Sequence, residues 1–206
     1  MNPPDTPYAV ALTGASGLAY GLRLIECLID AECQVAVLAS QTAHLVAKQE
    51  LDLTLPPRPG ELEQFFHARH PASIGRLRAY GREDWLAPLA SGSNPPAAMA
   101  ICPCSMGSLA AIAQGLAGNL IERAADVCLK EGRKLVLVPR ETPFSALHLE
   151  NMLRLARMGA VILPANPGFY HQPATVADLV DFIVARILDQ FGVPHRLTTR
   201  WGDGEP

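Results

Sequence analysis

Residues 8–21, Tyr8-Ala9-Val10-Ala11-Leu12-Thr13-Gly14-Ala15-Ser16-Gly17-Leu18-Ala19-Tyr20-Gly21 (YAVALTGASGLAYG), carry the main architectural signal. The apolar run 8–13 reads as a buried strand, and the glycine-rich turn after it opens a helical pattern over 17–31. Such a turn offers backbone N–H groups and a positive helix end to an anion. Its spacing is not that of a dinucleotide fingerprint, which needs GxGxxG and an acidic residue about 20 residues later for the ribose. Here the glycines stand at 14, 17 and 21, and the next strand ends in Ala39-Ser40. Nor is it the nucleophile elbow GxSxG, because position 18 is leucine. Ser16 is therefore read as a hydroxyl donor in the turn rather than as an acyl-enzyme nucleophile.

Working outward, short apolar runs alternate with longer helical patterns, which predicts a parallel sheet with helices on both faces. The predicted strands are 8–13, 34–39, 97–102, 134–138 and 160–163, and the helices are 17–31, 41–50, 105–115, 119–131, 145–158 and 175–191. The interval 51–96 is poorly patterned and rich in proline and glycine; a helix near 61–68 and a short strand pair are expected there. With 206 residues the chain suits a single α/β domain, 1–206, with a tail from about residue 192. That tail keeps Trp201, which suggests docking on a neighbouring subunit.

Hydrophobic residues make up 49% of the chain and charged ones 18%, so part of the apolar surface is expected to be buried between subunits. A net charge of -3 without a basic block sets nucleic acid and acidic membranes aside as partners. Met1-Asn2-Pro3-Pro4-Asp5 lacks the features of a signal peptide, and no apolar run nears the roughly 20 residues of a membrane span. The five cysteines lie in apolar segments, which suits reduced thiols and a cytoplasmic location. Cys102-Pro103-Cys104 is not a CxxC pair, and the six histidines form no HExxH, so no metal is expected.

Ligands of open α/β sheets bind beyond the carboxyl ends of the strands. The loops there carry Ser40, the run Ser105, Met106, Gly107 and Ser108, the pair Arg140-Glu141, and Tyr170 in Gly-Phe-Tyr-His. Hydroxyls and glycines at helix starts suit a mononucleotide phosphate, although Ser16, Ser40 and Ser105 read equally as helix caps. Arg140-Glu141, flanked by Pro139 and Pro143, offers a phosphate-binding cation and a proton carrier, or else a surface ion pair. Arg123 and Lys130 lie seven residues apart on one helix face, which by pattern alone is an ordinary solvated face. Glu50, at the end of the second helical pattern, is unremarkable by itself.

Taken in order, TGASG, PCSMGS, NLIERAADVCLKE, PRETP and PGFYHQP resemble the UbiX family of flavin prenyltransferases over about residues 9–201. The resemblance implies a flavodoxin-like Rossmannoid α/β subunit, assembled as a dodecamer with FMN at a subunit interface. It implies transfer of a dimethylallyl group from dimethylallyl phosphate to N5 and C6 of reduced FMN, without a metal. The product, prenylated FMN, would serve a UbiD-type decarboxylase, in many bacteria for ubiquinone biosynthesis. Flavin contacts are implied at Gly14, Ala15, Ser16, Ser40, Ser105 to Ser108 and Arg140. Prenyl-phosphate contacts are implied at Tyr170 and Arg186, with Glu50, Arg123 and Lys130 completing a charged pocket. Glu141 is the first choice for proton transfer, with Glu50 or the bound phosphate as competitors. Trp201 and Trp85 are candidates for an aromatic wall shielding an allylic cation.

Two other classes compete with this reading. An FMN-dependent decarboxylase acting on Cys-ending peptides would be expected to carry an essential histidine and an Asn-rich late loop, whereas NPGFYHQP holds one Asn. A module that merely binds FMN would not need the charged residues.

Overall fold

In the first strand, β1 (Tyr8–Leu12), large and small side chains alternate, and strand geometry sends them to opposite faces. Val10 and Leu12 enter one core layer, while Ala9 and Ala11 enter the other. The computed structural model describes residues 6–198. Its strands are β1, β2 (Val35–Ala39), β3 (Leu77–Tyr80), β4 (Ala98–Cys104), β5 (Lys134–Pro139) and β6 (Val161–Ile162). All pairings are parallel, in the order β3-β2-β1-β4-β5-β6. Without its β3 edge this is the flavodoxin-like order, with the switch point between β1 and β4.

The helices are α1 (Leu18–Asp30), α2 (Gln41–Leu51), α3 (Pro59–Arg69), α4 (Met106–Ala113), α5 (Leu120–Lys130), α6 (Ala146–Arg157) and α7 (Val176–Phe191). Buried residues of α1, α2, α3 and α7 share one core layer, and those of α4, α5 and α6 share the other. This is the doubly wound architecture that the alternation predicts. Arg23 of α1 joins Asp181 of α7 at 2.7 Å, fastening two neighbours of the first layer. Gly21 lets α1 approach the sheet closely, since a Cβ there would lie 2.1 Å from the Cys102 carbonyl oxygen.

The interval 51–96 departs from expectation. It holds α3 and a single strand, β3, which joins the edge of the main sheet beside β2 instead of pairing locally. Glu63 of α3 accepts the Ala79 N–H at 2.9 Å, satisfying one donor on that edge strand. Among the described residues, no helix is long and apolar enough to cross a membrane.

Candidate active site

At the switch point the turn after β1 is fastened to the end of β4 and the start of α4. The Thr13 hydroxyl donates to the Pro103 carbonyl at 2.8 Å and accepts the Ser105 N–H at 2.8 Å. Gly14 follows, packed so tightly that a Cβ would lie 2.1 Å from Thr42 Oγ1 at the start of α2. Gly17 caps α1 with a φ of 100°, a left-handed conformation that favours glycine.

The anion at this helix end is the chain's own. Glu50 accepts the Gly17 N–H at 2.9 Å and the Leu18 N–H at 3.2 Å. A phosphate cannot share those two donors with a carboxylate, so the expectation of an external anion on them needs correction. The bonds also bring Glu50 beside Ser16, a proximity that a gap of more than thirty residues conceals in the sequence. Ser16 is half-buried and supplies no cap to α1. Ser40 and Ser105 do act as caps, accepting the N–H groups of Ala43 and Ser108, both at 3.2 Å.

A cleft of about 260 Å³ opens between the starts of α2 and α4. Ser40, Thr42, Gly107 and Ser108 line it, with Arg82 from the loop after β3 and Asn119 and Glu122 at the start of α5. The Glu122 carboxylate accepts from the Gly118 N–H and the Asn119 amide, both at 2.7 Å. A Cβ on Gly107 would meet open space, so its backbone remains accessible. Thr42 follows Ser40 beyond the second strand, where ligand residues were expected; Arg82 was not expected, and gains meaning only once β3 joins the sheet.

The charged residues expected in one pocket are divided between the faces of the sheet. Arg123 and Lys130 stand on α5, against the turn that runs through Ala90 and Gly92. Arg123 donates to the Ala90 carbonyl at 2.9 Å and pairs with Asp126 at 2.8 Å. Lys130 pairs with Glu131 at 2.8 Å, and both charged groups occupy the space that a Cβ on Gly92 would need. The ordinary ion pairs of the simpler reading are therefore present. Ser91 and Ser93, hydroxyl to hydroxyl at 2.8 Å, lie in the same turn and were not singled out by pattern.

On the other side of the sheet, Arg186 of α7 pairs with Asp189 at 2.8 Å. One turn earlier, Phe182 stacks on His171 with ring centroids 5.3 Å apart and supports Gly168. This seats the loop on α7, with Tyr170 87% exposed. A single subunit thus groups Ser16 with Glu50, and associates the Tyr170 loop with the helix bearing Arg186. It leaves Arg123 and Lys130 in the opposite layer. Among the described residues no ion pair joins Arg140 to Glu141; Glu141 accepts the Thr142 N–H at 3.3 Å. Trp85 is half-exposed in the loop after β3, whereas Trp201 lies outside the described residues.

The flavoprotein family model matches residues 3–188. The chain is 57% identical over 203 residues to the flavin prenyltransferase UbiX of Pseudomonas aeruginosa, covering 98% of this chain and 97% of that protein. It belongs to the UbiX-type flavin prenyltransferase family. Two solved structures of similar proteins extend the comparison. AnUbiX (PadA1), in complex with FMN and dimethylallyl pyrophosphate, superposes with a TM-score of 0.84 at 37% identity, covering 97% of this chain and 99% of that one. A dodecameric FMN-dependent UbiX-like decarboxylase from Escherichia coli O157:H7 gives 0.82 at 40%, covering 95% and 98%. Within this UbiX-type chain, no group of three or more His, Cys, Asp or Glu could hold a metal ion among the described residues.

Proposed function

We infer that this chain transfers a dimethylallyl group from dimethylallyl phosphate to N5 and C6 of reduced FMN, yielding prenylated FMN for a UbiD-type decarboxylase in the cytoplasm. The switch-point cleft carries the reading: helix N-termini, the hydroxyl residues Ser40, Thr42 and Ser108, and Arg82 suit a flavin phosphate, while the Glu122 carboxylate at its edge is held by Gly118 and Asn119. Gly14, Ala15 and Ser16 beyond it would meet the flavin itself, with Arg140 at the neighbouring strand end. Reduced FMN, when bound, supplies the nucleophilic positions that accept the prenyl carbon.

The chain's own residues supply positioning and charge. Arg123, Lys130, Arg186 and the Tyr170 hydroxyl would neutralise the departing phosphate, which otherwise leaves slowly. Glu141 would accept a proton, with Glu50 beside Ser16 as the alternative acceptor. Because these cations occupy opposite sheet faces, a pocket using all of them would draw on more than one copy of the chain. The dodecameric state of the Escherichia coli relative supports such an assembly.

The test is anaerobic incubation with reduced FMN and dimethylallyl phosphate, followed by mass measurement of the flavin. A gain of one prenyl unit is expected; its absence rejects the proposed activity.

A further inference from the structure

We infer that Thr13 is a positioning residue that holds the two loops of the cofactor site in register, an inference that rests on the FMN reading above. Thr13 is 1% exposed, so it acts through its neighbours and not by touching a ligand. The regular pairing of β1 with β4 runs from Ala9↔Met99 to Ala11↔Ile101. Just beyond it, β4 shifts register against β5 between Ile101 and Cys104. At this irregular end, Thr13 spans the gap.

Its hydroxyl donates to the Pro103 carbonyl and accepts the Ser105 N–H, both at 2.8 Å, and its own N–H reaches the same carbonyl at 3.3 Å. A hydroxyl can donate once and accept in the same place, a combination that an aliphatic side chain lacks. The residues it joins are informative: Gly14, Ala15 and Ser16 follow Thr13, while Ser105 opens α4 and caps it through Ser108. One buried hydroxyl therefore sets the spacing between the turn after β1 and the helix end that lines the cleft.

The experiment measures FMN affinity by flavin fluorescence for wild type, Thr13→Val, Thr13→Ser and Thr13→Ala, with folding checked by circular dichroism. Thr13→Val keeps the shape but removes the partner of the part-buried Ser105 N–H and leaves the Pro103 carbonyl only the longer bond from the residue-13 N–H, so its FMN dissociation constant should rise by about tenfold or more. Thr13→Ser, which keeps the hydroxyl, should restore affinity to within about twofold of wild type. Wild-type affinity in a folded Thr13→Val protein overturns the inference, as does an equal loss in Thr13→Ser. Should Thr13→Val not fold, Thr13→Ala decides by the same criterion: weakened binding supports the role, and unchanged binding overturns it. A wild-type chain that itself fails to bind FMN would instead reject the flavin reading.

Discussion

Gly21 shows how a single residue joins helix to sheet: a Cβ there would lie 2.1 Å from the Cys102 carbonyl oxygen and 2.4 Å from Leu12 Cδ2. Gly21→Ala should cost about 3 kcal/mol, read as a lower urea midpoint at unchanged slope, because a backbone carbonyl has little room to yield. Glu50 offers a sharper test, since its carboxylate holds the start of α1 and its position beside Ser16 suits chemistry. Glu50→Gln should lose under about 1 kcal/mol of stability through the helix terminus. It should also slow single-turnover prenylation by at least about 100-fold if Glu50 moves a proton. A stability loss with normal turnover would assign Glu50 to the helix alone. Ser16 makes no cap for α1, so Ser16→Ala should retain FMN and slow prenylation; an unchanged single-turnover rate would count against its role in the reaction.

At the scale of elements, β4 is buried along its whole length, and Cys102 and Cys104 are buried with it. Burial pushes the Cys104 and Cys128 thiols from 9.0 up to about 12, the former wholly by desolvation. At pH 8.5 iodoacetamide should therefore spare both in the folded protein and label them after denaturation; labelling of the folded chain would contradict the burial. The sign of the stability effect follows from the same shifts. Between about pH 9 and pH 12 the unfolded chain releases thiol protons that the folded chain retains, so stability should fall as pH rises through that window. Thermal melting at stepped pH measures it. Helices α1, α5, α6 and α7 were legible because their apolar periodicity is strong, and α2 and α4 because serine caps open them at Ser40 and Ser105. Strand β3 was less so. Leu77-Arg78-Ala79-Tyr80 is a short edge strand, and its partner β2 lies far back in the chain.

For the whole molecule, the decisive feature is the division of cations by the sheet, with Arg123 and Lys130 on α5 and Arg186 on α7. If one site draws them from different copies, Arg123→Ala and Arg186→Ala should each be inactive alone. Co-expression of the two should recover a fraction of wild-type activity in hybrid oligomers, because some interfaces then receive both native residues. Sedimentation of the hybrids shows whether they formed, and mixed oligomers without recovery would argue for a site within one subunit.

Strand and helix type, the glycine turn and the exclusion of a dinucleotide fingerprint were local matters, readable in residues 8–40 because periodicity and turn chemistry are short-range. So were the residue types at the strand ends, which suit a phosphate wherever the strands lie. Tertiary structure alone decided that Glu50 seats on Gly17 and Leu18, that Arg82 lines one cleft with Ser40 and Ser108, and that Thr13 bridges Pro103 and Ser105. Each joins segments more than twenty residues apart. Such contacts depend on strand order and crossover packing, which no local pattern encodes.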